Sequence, residues 1–240
     1  MAREDYRERL ERLREAVVTM GDLVYEQLAD GFTALFTGDR SLARDVIEGD
    51  HTVNRRSLEL ESECFDLLAL YQPLAGDLRI VVAAFKIATD LERVGDLATN
   101  LAEYALDATE SSPPLPDVDF ERTAALALEL LEEALEAFVT EEPATCFAVA
   151  ERDDELDDRC VSVAERVVRT CIDLRIEGID ATGGRTIGSD PVGDPSVSDL
   201  LADVSRTLVI ARDIERIGDH AVNVAARTLY ALENSDELLF

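Results

Sequence analysis

The stretch LERVGDLATNLA (91–102) decides the fold, because the chain repeats it as IERIGDHAVNVA (214–225). Seven of the twelve positions are identical, and most of the others exchange small or apolar residues. A second pair of strings, VIEGDHTVN (46–54) and VAERDDELD (149–157), precedes the two copies. Self-similarity of this kind indicates a duplicated structural unit, so we expect two related halves.

Apolar residues recur every three or four positions along almost the whole chain, which is the spacing of an amphipathic helix. After a first helix, Ser41 is placed to cap a second one that runs to about Tyr71. Pro73 suits the first turn of a third helix, which we expect to end near Ala108. No alternating, strand-like pattern competes, so the sequence predicts an all-α fold.

The second half repeats this three-helix plan. An apolar stripe that starts at Phe120 predicts one helix, and Pro143 opens another that runs to about Glu177. A capping box at Ser196 marks the start of the last helix, which we expect to end near Glu233.

Two stretches rich in Pro or Gly separate these helices. TESSPPLPD (109–117) is typical of a linker, and 178–195, with five Gly and two Pro, is predicted to be a flexible loop. We therefore predict two tandem three-helix bundles related by the internal repeat, the first over 1–108 and the second over 117–234.

The charge balance narrows the classes of function. The chain of 240 residues has 52 acidic and 23 basic residues, a net charge of -29, and Lys86 is its only lysine. This excludes a basic nucleic-acid-binding surface, and no apolar stretch suits a membrane span or a secretory signal. Molar salt would screen the repulsion on such a surface, so we expect a cytoplasmic protein from a halophile. The alternative is an ordinary acidic protein from a GC-rich genome.

Neither cysteine nor histidine forms a recognisable catalytic or metal-binding pattern. The four cysteines show no C-x-x-C spacing and lie in apolar helical contexts, so we expect buried free thiols. We expect His220 to be a surface residue rather than a ligand, because Leu97 stands in its place in the first repeat. No nucleotide-binding loop or nucleophile motif occurs either, so we do not expect an enzyme.

Each copy of the repeated motif places two carboxylates on one side of a helix. Glu92 and Asp96 are four residues apart, and Glu215 and Asp219 repeat the pair. Several oxygen donors on one face are what hard divalent or trivalent cations require. A single acid pair at this spacing is expected by chance in so acidic a chain, so the prediction rests on repetition of the whole string.

Companion side chains lie on the preceding helix of each half. Asp50 and Asp153 fall on otherwise apolar stripes, where a polar group has to be paired or bound. Asn54 and Asp157 follow them by four residues and add further oxygens. The alternative is a hydrogen bond to a neighbouring arginine, such as Arg55 or Arg152.

The helical wheel puts the motif acids, with Asn100 beyond them, opposite the core, which favours a site on the outer face over a buried di-iron centre. The alternative is a solvated acidic face neutralised by Arg93 and Arg216. Gly95 and Gly218 fall in mid-helix, where glycine costs about 1 kcal/mol relative to alanine. Both positions therefore predict close approach by another helix, a partner or a ligand.

These strings, together with QPLAGDLR (72–79), resemble the PhoU family of accessory regulators of the phosphate-specific transport system. The resemblance covers nearly the whole chain and implies six helices in two three-helix bundles, often dimerised. It also implies surface clusters of iron, zinc, manganese or magnesium. The residues in the matching positions are Glu92, Asp96, Glu215 and Asp219, with Asp50, Asn54, Asp153 and Asp157 as companions.

The resemblance implies a negative regulator of phosphate uptake and phosphate homeostasis. Its expected partners are the ATPase subunit of the phosphate ABC transporter and, in bacteria, a sensor histidine kinase, so any membrane association is through a partner. Because Asn54 replaces the acid found at Asp157, the two metal sites are expected to differ in occupancy or affinity. Two alternatives stay open: a metal-dependent helical-bundle enzyme and a metal-free acidic interaction module.

Overall fold

The computed structural model describes residues 2–107, 120–181 and 195–239, with side chains described for 4–107, 120–169 and most of 202–239. These ranges contain six α-helices and no strand, which confirms the all-α fold class. The helices are α1 (Ala2–Thr37), α2 (Arg40–Tyr71), α3 (Gly76–Asp107), α4 (Phe120–Thr140), α5 (Pro143–Ala181) and α6 (Pro195–Glu233).

Asp39, not Ser41, caps α2. Its backbone is extended, and its Oδ1 accepts hydrogen bonds from the backbone N–H groups of Ser41 at 2.9 Å and Leu42 at 3.1 Å. The prediction of Ser41 as the cap was therefore wrong by two residues. Asp is as good a cap as Ser, and here its carboxylate satisfies two of the unpaired donors at the helix start.

The third helix also begins later than predicted. Gln72 and Ala75 both have positive φ, 47° and 51°, so the chain between them cannot be helical. Pro73 is therefore part of the connection, and α3 starts at Gly76.

The two connections predicted from composition lie largely outside the described residues. This holds for the whole linker 109–117 and for 182–194 of the loop. The first residues of the predicted loop instead continue α5 to Ala181, so the predicted end of that helix near Glu177 was too early.

The six helices pack as two triplets, and two helices of each triplet contact the other triplet. α1, α2 and α3 contact one another, as do α4, α5 and α6. α3 packs against α6 and α1 against α4, whereas in the described part of the chain α2 and α5 contact only helices of their own triplet. Most of the buried apolar residues, from all six helices, form one continuous core, and a smaller buried cluster lies among α1, α2 and α3. The division into two domains stays a prediction. Over the described residues, no helix combines the length and apolarity that crossing a bilayer requires.

The described cysteines are buried free thiols, as predicted. Cys64, Cys146 and Cys160 are each at most 3% exposed. Burial raises the pKa of these thiols to about 12, 11 and 12 respectively. The side chain of Cys171 lies outside the described residues.

Candidate metal centre

In the second bundle, α5 and α6 bring four carboxylates into electrostatic range of one another. We call Asp153, Asp157, Glu215 and Asp219 the second cluster. Burial, followed by the charges of Asp157 and Asp219, raises the pKa of Asp153 to about 7. Burial also raises the pKa of Asp157 and of Glu215, where the charge of Arg212 opposes the rise. The tertiary structure therefore joins companion and motif acids, which the sequence alone left undecided.

Two mid-helix glycines make this approach of the helices possible. A Cβ at Gly218 would overlap Asp153 Oδ1 and lie 2.5 Å from Leu156 Cδ2, so only glycine leaves room for α5 here. In the first bundle, a Cβ at Gly95 would lie 3.1 Å from Val53 Cγ1 of α2. Both observations confirm that the glycines mark close approach by a neighbouring helix.

In the first bundle, the negative charge of the corresponding acids is partly neutralised by neighbouring side chains. We call Asp50, Asn54, Glu92 and Asp96 the first cluster. Asn54 Nδ2 donates a hydrogen bond to Asp50 Oδ2 at 2.7 Å. The Arg93 guanidinium lies 3.8 Å from Glu92 Oε2 and 3.3 Å from Asp96 Oδ2. Burial and the charge of Asp96 still raise the pKa of Glu92, while Arg93 opposes them. Neutralisation by arginine, the alternative to metal binding, therefore operates in this repeat.

Two arginines near the second cluster pair with acids outside that cluster. Arg216 lies 3.5 Å from Asp213 rather than on the motif acids, so the alternative of neutralisation by this arginine does not hold in the second repeat. Arg152 pairs with two glutamates of α4 and leaves Asp153 without an arginine partner. Arg55, the equivalent candidate in the first bundle, pairs with a glutamate of its own helix. The second cluster therefore keeps more uncompensated negative charge than the first.

The donors of both clusters suit a hard cation. The Oδ1 atoms of Asp50, Asn54, Asp153 and Asp157 are shielded from solvent and have no hydrogen-bond partner. Unpaired carboxylate oxygens at partly buried positions are the donors that such a cation prefers. Among the described residues, no three Asp, Glu, Cys or His side chains converge where one ion could sit. Metal binding therefore requires these side chains to rotate inward, and it stays a prediction.

Sequence reasoning missed a set of polar contacts between the two bundles. His220 Nδ1 lies 3.0 Å from Asp90 Oδ1, and both side chains are less exposed than a fifth, so the expectation of a surface histidine was wrong. Asp213 is buried and accepts hydrogen bonds from Tyr104 Oη at 2.9 Å and from Asn100 Nδ2 at 3.4 Å. Asn100 therefore faces α6 instead of extending the acid line. One feature of the sequence could have indicated these contacts: an Asp begins both DLERVGD (90–96) and DIERIGD (213–219).

The PhoU domain family matches this chain over residues 17–105 and 189–228. A PhoU homologue of Caulobacter vibrioides is 33% identical over 221 residues, which cover 92% of this chain and 86% of the relative. The chain belongs to the PhoU family. PhoU of Escherichia coli strain K12 is 32% identical over 228 residues, which cover 95% of this chain and 85% of that protein. Both relatives are named phosphate-specific transport system accessory proteins.

Solved PhoU structures have the same architecture. The crystal structure of PhoU from Pseudomonas aeruginosa has a TM-score of 0.81 at 28% identity, and the match covers 96% of this chain and all of that one. PhoU from Streptococcus pneumoniae reaches 0.78 at 23% identity over 96% of this chain and 98% of that one, which supports the fold alone. These matches confirm the PhoU-like helical-bundle fold.

Proposed function

We propose that this chain is a non-enzymatic accessory protein that lowers phosphate import by docking on the cytoplasmic ATPase of a phosphate transporter. Two relatives at 33% and 32% identity, over 92% and 95% of the chain, are named accessory proteins of such a transport system. A sensor histidine kinase is a second candidate partner. The protein works in the cytoplasm as a homodimer and reaches the membrane only through its partner.

The second cluster, which keeps more uncompensated negative charge than the first, is the basis of the mechanistic part of this proposal. Asp153 is wedged against α6 at Gly218, and its Oδ1 has no hydrogen-bond partner. The charges of Asp157, Asp219 and Glu215 add to burial in raising its pKa to about 7. Carboxylates held in mutual repulsion at a partly buried position are commonly functional groups.

A divalent or trivalent ion of iron, zinc, manganese or magnesium supplies the positive charge that this cluster lacks. Asp153 and Asp157 hold it from α5, and Glu215 and Asp219 hold it from α6. Inward rotation of these four side chains ties the two helices together and orders the outer face of the second bundle. A cation in the first cluster orders the outer face of the first bundle in the same way, and these ordered faces are where we expect the ATPase to dock.

The first cluster binds cations more weakly. Asn54 brings no charge where the second cluster has an acid, and its amide already engages Asp50. Arg93 lies against both Glu92 and Asp96, so a cation would have to displace it. The two sites therefore differ in affinity, with the second filled first.

The metal half of the proposal is tested by titrating the purified chain with one metal at a time, with calorimetry and elemental analysis as readouts. The substitutions Asp153→Asn and Asp157→Asn together should lower affinity at least about tenfold, or about 1.4 kcal/mol. Glu92→Gln with Asp96→Asn should affect only the weaker site. Glu151→Gln, an exposed acid on α5, is the control for loss of one charge. Unchanged metal content in both double variants would contradict this mechanism.

The regulatory half is tested by measuring phosphate uptake in phosphate-rich medium. Cells lacking the protein should keep uptake high, and the wild-type chain should lower it again, whereas the Asp153→Asn and Asp157→Asn variant should not. Uptake that is indifferent to the protein would overturn this role. ATPase binding that survives chelation would instead support a metal-free interaction module. Turnover of a phosphoester or peroxide in proportion to metal content would support an enzyme.

A further inference from the structure

Apolar side chains are exposed along the face shared by α2 and α3. Leu58 and Phe65 of α2 are 66% and 60% exposed, and Leu78 and Val82 of α3 are 39% and 37% exposed. Phe65 meets the partly buried Phe85 edge to face, with ring centroids 5.7 Å apart. We call these five residues the apolar strip. Single exposed apolar residues are ordinary, but a row of them on one face is typical of a docking surface.

The apolar strip continues the first cluster along the same face of the bundle. Leu58 follows Asn54 by one helical turn, and Phe85 precedes Glu92 by two turns. Glu61, on the same helix as Leu58, is close enough to Glu92 to contribute to its raised pKa. The acids and the apolar strip therefore form one continuous surface across α2 and α3.

Acidic residues border the apolar strip. Segment 58–86 contains five acidic residues and two basic ones. Arg55 and Arg56 of α2 pair with Glu59. The acids that remain around Phe65 are therefore Glu61, Glu63 and Asp66. Of the two basic side chains, Lys86 is exposed next to Phe85, and Arg79 turns toward α6, where its Nε donates to the carbonyl oxygen of Ala231 at 3.4 Å. An apolar row with an acidic border complements an apolar row flanked by Arg or Lys. A second copy of this chain would set one acidic border directly against another, and like charges in contact are unfavourable.

We propose that the apolar strip seats an amphipathic helix of the transporter's ATPase, with apolar side chains on one face flanked by Arg or Lys. The apolar row of that helix packs on the strip, in the manner of a helix bound in a groove. Its basic side chains pair with the acidic border at contact and give specificity, while the apolar contact sets the lifetime of the complex. The inference rests on the proposed function and names its docking surface.

The second bundle carries a reduced form of the same surface. Val161 and Val168 stand 103 residues after Leu58 and Phe65, the offset that relates the two companion strings, and both are exposed. Valine offers less apolar area than leucine or phenylalanine. Ser205 replaces the exposed Val82 of α3, and Val209, 43% exposed, stands in the place of Lys86. The first bundle is therefore the seat of the helix.

The test measures binding of the full-length chain to the purified ATPase subunit of the phosphate transporter from the same organism. Leu58→Ser with Phe65→Ser should raise Kd at least about tenfold, or about 1.4 kcal/mol. Val139→Ser, at a 57% exposed position on α4, is the control and should change Kd by less than about twofold. Because all three positions are exposed, the variants should melt like the wild type, which circular dichroism checks.

The outcomes separate this inference from the proposed function. If the wild type binds and lowers uptake but the double variant binds equally well, the docking surface is wrong and the function stands. If the wild type neither binds the ATPase nor affects phosphate uptake, both are wrong. Sedimentation velocity adds a third outcome: a wild-type dimer that becomes a monomer in the double variant would make a second copy the occupant and overturn the inference.

Discussion

Replacing Gly218 by alanine should destabilise the protein, although alanine is the better helix former. In a helix interior the exchange by itself gains about 1 kcal/mol. At this position, however, the new Cβ would overlap Asp153 Oδ1 and lie 2.5 Å from Leu156 Cδ2. Carbon atoms in favourable contact are about 3.5–4.0 Å apart, so the second distance is about 1 Å too short.

The two neighbours differ in how they can respond. The Asp153 carboxylate ends a partly exposed side chain and can swing away from α6, which takes it out of the second cluster. Leu156 is fully buried, so its movement requires repacking of the core. Overpacking costs about 1–3 kcal/mol, and two contacts below 3 Å place this case in the upper part of that range. After the gain in helix propensity, the free energy of unfolding should fall by about 1–2 kcal/mol.

Thermal melting of the metal-free protein, followed by circular dichroism, measures this effect. For a chain of this size about 1 kcal/mol shifts Tm by about 2–4 °C, so Gly218→Ala should lower Tm by about 2–8 °C. Gly49→Ala is the matched control on α2, because no atom lies within 4 Å of its Cβ, and it should raise Tm slightly. Gly95→Ala, with contacts of 3.1 Å and 3.2 Å, should fall between them. A Gly218→Ala protein as stable as Gly49→Ala would refute the reasoning.

Three further predictions concern titration, the contact between bundles and the thiols. Because the pKa of Asp153 is raised from 3.8 to about 7, the folded chain binds this proton more tightly than the unfolded chain, and stability without metal falls as pH rises through that range. Asp153→Asn should therefore raise Tm at pH 8 and leave it unchanged at pH 3, and equal shifts at both pH values would contradict this. His220→Leu leaves Asp90 without its partner, so urea denaturation should show a loss of about 1–3 kcal/mol. The thiols of Cys64 and Cys160, with pKa raised to about 12, should react with Ellman's reagent at pH 8 only after denaturation, and rapid labelling of the native protein would contradict their burial.

The helices could be predicted because an amphipathic helix repeats its apolar face every three to four residues. The ends of the helices were harder to predict, since residues that suit a helix cap often stand close together in the sequence. Asp39 and Ser41 are both suitable, and only the backbone geometry shows that Asp39 accepts the first N–H groups. Pro73 is suited to a first helical turn, yet positive φ at Gln72 and Ala75 delays the helix.

The candidate site residues could be predicted because the same string of residues occurs twice, which a chance pair of acids would not do. Which arginines neutralise these acids could not be predicted, because that depends on side chains from other helices. Arg93 and Arg216 occupy the same motif position, yet only Arg93 lies on the motif acids. Arg216 turns to Asp213, at the contact between the bundles. The position of His220 could not be predicted for the same reason, since its partner Asp90 is 130 residues away on another helix.

By itself, the sequence determined an all-α duplication with PhoU-family motifs and carboxylates repeated in each half. Helical period and repetition are local properties of the chain, so the order of the residues alone reveals them. Only the tertiary structure decided that Asp153 lies against Gly218, that the second cluster keeps its charge, and that Leu58 and Phe65 extend the first cluster as an exposed apolar face. These features are distances and exposures among residues of different helices, and helix packing alone sets them.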